Sequence, residues 1–119
     1  MADIMVLDDV SDAGMLVKRI LERKGHTVSV FTEEEDALRH AAANGVDLAI
    51  LDIKLKKMTG VEVLEELKKL RPGMKAIMLT GYPTLETARE ALRLGAQEYC
   101  VKPINKDELE TKVAEVIGE

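Results

Sequence analysis

Tryptophan is absent from this chain, phenylalanine occurs once and tyrosine twice. An interior so poor in aromatics must be filled by Ile, Val, Leu and Met, and apolar residues make up 46% of the sequence. Cysteine is nearly absent too. Cys100 alone excludes an internal disulfide framework, suits a reducing cytosol, and is read as a core residue. Long apolar runs are missing: none approaches the roughly 20 residues of a membrane helix. Asp3 and Asp8 interrupt the apolar run near the N-terminus, which argues against a signal peptide. There is no clustered basic patch. Net charge is −5 with acids and bases interspersed, a balance that argues against direct nucleic-acid binding. Repeats, linkers and low-complexity segments are also lacking. The 119 residues are therefore expected to form one cytoplasmic domain, residues 1–119, without help from disulfides or structural metal.

Short apolar runs are present, at Ile4–Leu7, Leu48–Leu51, Ala76–Leu79 and Tyr99–Val101. The first three are continuous rather than alternating, the pattern of strands covered on both faces. His26–Phe31 interleaves Thr27 and Ser29 with Val28 and Val30, which predicts an edge strand. Between these runs the period is helical. Ala13, Leu16, Val17, Ile20 and Leu21 form one stripe, Val61, Leu64 and Leu67 another, and Ala88, Ala91 and Leu92 a third. Ala37, Leu38 and Ala41 are a weaker stripe, and Leu109, Val113, Val116 and Ile117 complete the set. Thr32 with Glu35, and Asn105 with Glu108, have capping-box spacing. Gly25, Gly45, Gly95 and Pro72-Gly73 mark helix ends. Five β-α units in succession predict an α/β fold, a doubly wound five-stranded parallel sheet in the order 2-1-3-4-5 with five helices.

The residues that close each apolar run carry the chemistry. Asp8 and Asp9 follow the first, Asp52 the third, Thr80 the fourth and Lys102 the fifth. In a parallel sheet these positions share one edge, so three carboxylates, a hydroxyl and an ammonium converge on one crevice. Clustered carboxylates repel one another unless a cation intervenes, and an all-oxygen ligand set suits a hard ion such as Mg²⁺. Zinc is not indicated, because His26 and His40 stand on different elements. An Asp beside a bound divalent ion makes a phosphoryl-transfer site. Taken singly, each residue also has a plain reading: Asp8 or Asp9 as a helix N-cap, Thr80 as a loop hydroxyl, Tyr99 as a half-buried strand aromatic, Lys102 as a solvated charge.

Over its whole length the sequence resembles a response-regulator receiver domain of the bacterial two-component kind, a flavodoxin-like fold shared with chemotaxis regulators. The resemblance rests on Asp8-Asp9, Leu51-Asp52, Gly60, Leu79-Thr80-Gly81 and Tyr99-Cys100-Val101-Lys102-Pro103, in that order. It implies a signalling switch rather than an enzyme acting on other substrates. Asp52 would accept a phosphoryl group from a phosphohistidine on a histidine kinase or phosphotransfer protein. Mg²⁺ would be bound by Asp9, Asp52 and the backbone carbonyl of Lys54, with Asp8 acting through water. Lys102 would pair with a phosphoryl oxygen, Thr80 would donate to another, and Tyr99 would turn inward. Lys102-Pro103 is expected to be cis. Lys54 and Tyr82 occupy the two positions that tune phosphoryl lifetime, and here they imply slow self-dephosphorylation. The downstream partner would read the face spanning 85–117.

The sequence also departs from the family. Lys56 stands where Pro is usual, Gln97-Glu98 replaces a common Asp-Asp, and no Arg follows Arg93, which speaks against dimerisation in the manner of winged-helix regulators. Two rival readings stay open. A Mg²⁺-dependent aspartyl-phosphate hydrolase would need an acid two residues after its nucleophile, where this chain has Lys54. A docking module that is never phosphorylated would have no use for the complete acidic set.

Overall fold

The computed structural model describes every residue except Lys56, Tyr82, Ile104 and Glu119. Strands and helices alternate along the chain: β1 (Asp3–Leu7), α1 (Ser11–Glu22), β2 (Thr27–Phe31), α2 (Glu34–Ala43), β3 (Leu48–Leu51), α3 (Gly60–Leu70), β4 (Lys75–Thr80), α4 (Leu85–Arg93), β5 (Glu98–Val101) and α5 (Lys106–Ile117). The strands form one parallel sheet in the order β2-β1-β3-β4-β5. β2 is an edge strand, as its mixed composition predicts.

The continuous apolar runs are explained by two separate cores. Met5, Leu7, Ala49, Leu51, Ala76 and Met78 face α2, α3 and α4. Their strand neighbours Ile4, Val6, Leu48, Ile50, Ile77 and Leu79 face α1 and α5. Alternate residues of a strand point to opposite faces, so a sheet covered on both sides needs apolar residues at every position. Cys100 lies in the second core. Burial pushes its thiol pKa up, against a smaller opposing effect of the Lys112 charge. Alkylation of native Cys100 by iodoacetamide is expected to be at least about 100-fold slower than in denaturant, because it must await opening of the core. Equal rates by mass spectrometry would show an accessible thiol instead.

One helix boundary and two stripe residues need correction. The Thr32–Glu35 pair does not cap α2: its N-cap is Glu33, with no side-chain cap, and the helix starts at Glu34. A full capping box forms instead between Thr59 and Glu62 at the start of α3. Val10 is the N-cap of α1, so the plain reading of Asp8 or Asp9 as a helix cap does not apply. Asn105 does accept from the Glu108 amide, at 2.6 Å. Leu16 and Leu92, assigned to apolar stripes, are mostly exposed. Among the stripe residues named for those helices, only Val17 and Leu21 of α1 and Ala91 of α4 are buried.

Candidate functional site

The carboxyl ends of β1, β3, β4 and β5 deliver the crevice. Register does the positioning: Leu7 lies opposite Leu51, and Asp52 donates its amide to the Leu7 carbonyl at 3.0 Å. Asp8 and Asp52 therefore emerge side by side from the two central strands. Both are buried, at 4% and 6% exposure, while Asp9 is half-buried. One carboxylate oxygen from each of Asp8, Asp9 and Asp52 lies within 4.8 Å of the others. That set fits a small hard cation: three acidic oxygen donors at the spacing of a shared ion, with no sulfur or imidazole among them.

Lys102 enters from β5. Its ammonium donates to Asp8 Oδ2 at 2.6 Å and to Asp52 Oδ2 at 3.1 Å. Burial lowers its pKa, but the hydrogen bonds and charges of Asp8 and then Asp52 outweigh burial and hold it above the ordinary value. Lys102 is thus a fixed cation at neutral pH. Its backbone amide also donates to the Thr80 carbonyl at 2.7 Å, and the Lys102-Pro103 peptide is cis, as expected. Asp8 is held at its other oxygen by the Val10 amide at 2.9 Å. Asp52 Oδ1 receives the Lys54 amide at 3.3 Å, a longer contact.

Thr80 is fully buried at the end of β4. Tyr99 is half-buried on β5, and its hydroxyl lies 2.9 Å from Thr87 Oγ1 on α4. Thr87 was not anticipated as a participant, although the Thr84-x-x-Thr87 spacing at a helix start was a readable cue: the pair forms the α4 capping box. The loop after Asp52 closes on itself. Lys54 and Thr59 form an isolated antiparallel bridge, and the Gly60 amide donates to the Ile53 carbonyl at 2.7 Å. Lys54 is exposed there, while Tyr82 and Lys56 lie outside the described residues. Glu34 was also missed. Its carboxylate, 2% exposed, accepts from the Lys57 and Met58 amides of that same loop at 2.6 and 2.8 Å. No sequence signal separates it from Glu33, Glu35 and Asp36.

A five-stranded parallel sheet of this order, with its acidic crevice where the strand order reverses between β1 and β3, defines a doubly wound α/β protein whose site lies at the topological switch point. Residues 4–114 match the response regulator receiver domain. The transcriptional regulatory protein ZraR of Escherichia coli K12 is 30% identical over 116 residues, which cover 98% of this chain and 26% of ZraR. The CheY-like receiver domain protein of Methanospirillum hungatei superimposes with a TM-score of 0.96 at 38% identity, covering 99% of this chain and 94% of that one. The response regulator TrrA of Thermotoga maritima, solved in complex with Mg²⁺-BeF, does so with a TM-score of 0.87 at 34% identity, covering 98% and 99%. The chain belongs to the response regulator receiver domain family of two-component signalling. It spans about a quarter of the length of the curated relatives it matches. No helix among the described residues is long and apolar enough to cross a membrane.

Proposed function

We propose that the chain is a phosphoryl-accepting switch in which Asp52 is the acceptor and Mg²⁺ the cofactor. The observation that carries this reading is the Lys102 ammonium bridging Asp8 and Asp52, with an Asp9 oxygen close by. Asp9, Asp52 and the Lys54 carbonyl would hold the ion, with Asp8 acting through water. When bound, Mg²⁺ offsets charge on the phosphoryl oxygens. An Asp52 oxygen attacks phosphorus while the bond from phosphorus to the donor nitrogen of a phosphohistidine breaks. Lys102 follows the charge, exchanging a carboxylate for a phosphoryl oxygen, and Thr80 supplies a hydroxyl to another. The donor is a histidine kinase or phosphotransfer protein, which sets the cytoplasm as the place of work. The chain acts on no other substrate. The residues form one functional unit, 1–119, whatever output domain a longer protein would attach.

The output side is the 85–117 face. Leu85, Leu92 and Val101 stand exposed there, apolar enough to serve a protein partner rather than nucleic acid or membrane. With acetyl phosphate and Mg²⁺ the chain is expected to gain one phosphoryl group by mass, and excess EDTA to block the gain. Amide shifts on phosphorylation are expected to run from Thr80 through Tyr99 into α4, because a bond offered to Thr80 only in the phosphorylated state shifts a two-state equilibrium. No mass gain with metal present would overturn the reading. Shifts confined to the neighbourhood of Asp52 would remove the Thr80–Tyr99 coupling from it.

Lifetime depends on a water in line with the breaking bond. Lys54, exposed at the mouth and charged, cannot accept a proton from that water. Slow self-dephosphorylation follows, so Lys54→Asn combined with Tyr82→Glu should shorten the phosphoryl lifetime by about tenfold, or about 1.4 kcal/mol of barrier. Decay of the label after donor removal measures it, and an unchanged rate would free both positions of the role.

A further inference from the structure

A buried carboxylate outside the acidic crevice has no place in the transfer chemistry. Glu34, the first residue of α2, is almost wholly enclosed, yet it sits where a helix start needs no buried acid. Its Oε2 accepts the amides of Lys57 and Met58 at 2.6 and 2.8 Å, across more than twenty residues of sequence. Its Oε1 is buried with no hydrogen-bond partner among the described residues. Burial raises its pKa, and the backbone amides of Glu34 itself, Met58 and Lys57 outweigh that and hold the carboxyl below its ordinary value. It is therefore an anion at neutral pH. Charge-assisted bonds of this length are about twice as strong as neutral ones. Losing them would leave the buried carboxylate without its loop partners.

The two amides belong to the loop that follows Asp52. Backbone pairing fixes the base of that loop, through the Lys54–Thr59 bridge and the bond from the Gly60 amide to the Ile53 carbonyl. The tip is held differently. Leu55 and Met58 pack half-buried against the core, and the Lys57 ammonium reaches Glu35 at 3.0 Å in an exposed pair that contributes little. Among the described residues of the tip, Glu34 supplies the buried polar anchor.

We propose that Glu34 is a positioning residue for metal binding: by gripping the Lys57 and Met58 amides it holds the 53–60 loop, which carries the Lys54 carbonyl, in its cation-binding shape. The inference rests on the proposed Mg²⁺ site at Asp9, Asp52 and Lys54. Groups that orient metal ligands without touching the ion typically contribute about tenfold or more to affinity.

The test is calorimetric titration of unphosphorylated protein with MgCl₂, joined to amide hydrogen exchange without metal. Glu34→Ala should weaken Mg²⁺ binding by about tenfold and speed exchange at Lys57 and Met58 while leaving β3 and β4 protected. Glu34→Gln keeps an acceptor oxygen and should stay within about threefold of wild type. Glu35→Ala, which breaks only the exposed pair, should bind as wild type does. Should Glu34→Ala fail to fold, Glu34→Asp keeps the charge one methylene short of the loop and should show the same loss in smaller measure. A wild-type chain that takes up no Mg²⁺ overturns the functional reading itself. Wild-type binding matched by Glu34→Ala or Glu34→Asp, or a loss of equal size in Glu35→Ala, overturns the role of Glu34 alone.

Discussion

Asp52→Asn is expected to take up no phosphoryl group from acetyl phosphate in the presence of Mg²⁺, with a rate at least about a thousandfold below wild type. Geometry separates Asp52 from its neighbours as nucleophile. Asp8 is gripped at both oxygens, by Lys102 at 2.6 Å and by the Val10 amide at 2.9 Å. Asp52 meets the same ammonium at 3.1 Å and the Lys54 amide at 3.3 Å, so its lone pairs are the less engaged of the two. Asn is nearly the same shape and can still accept from Lys54, which leaves the loop in place. It removes one of three mutually repelling carboxylates, so metal-free stability should hold or rise. Asp8→Asn should slow labelling without abolishing it. Phosphoprotein at wild-type level in Asp52→Asn, read by mass, would move the acceptor to another carboxylate.

Gly60→Ala should destabilise the fold by about 3 kcal/mol, the upper range for forcing atoms into a filled site. At this length that corresponds to a fall of about 12 °C in Tm. The reason is backbone, not side chain. A Cβ at position 60 would fall on the Asp52 carbonyl oxygen, 2.8 Å from its carbon and 2.9 Å from Ile53 Cα. Nothing there is a flexible side-chain end that could turn aside. Relief requires α3 to back away from the end of β3, which also breaks the bond from the Gly60 amide to the Ile53 carbonyl. Gly73→Ala is the control, since a Cβ there meets nothing within 4 Å. Thermal melts of the two variants decide it. Equal melting temperatures would mean the helix accommodates the methyl.

Much of this was legible because burial writes itself into sequence. Continuous runs such as Leu48–Leu51 could only belong to strands covered on both faces, and the parallel order then placed Asp8, Asp9, Asp52, Thr80 and Lys102 along one edge. The helix stripes were legible more coarsely. Periodicity tells which side of a helix is apolar but not how much of that side the sheet covers, and so Leu16 and Leu92 were placed inside when they lie outside. The start of α2 slipped by one residue because four polar residues, Thr32 to Glu35, can each begin a helix, and Glu34 bonds to a loop far off in sequence. Contacts across such distances, Glu34 to Met58 and Thr87 to Tyr99, leave no local pattern to read.

Three hydroxyls meet at the head of α4. Thr87 Oγ1 lies 2.8 Å from Thr84 Oγ1, 3.1 Å from the Thr84 carbonyl and 2.9 Å from the Tyr99 hydroxyl. The bond from the Thr87 amide to Thr84 Oγ1 caps the helix and does not involve the tyrosine. If Tyr99 turns inward as the family resemblance implies, it gives up one bond worth about 1 kcal/mol and the cap stays whole. That is about a fivefold change in population, small enough for a phosphoryl group to overturn. Helix α4 would then keep its shape in both states and change only its trim, and a partner would tell on from off by whether an aromatic ring lies beside it.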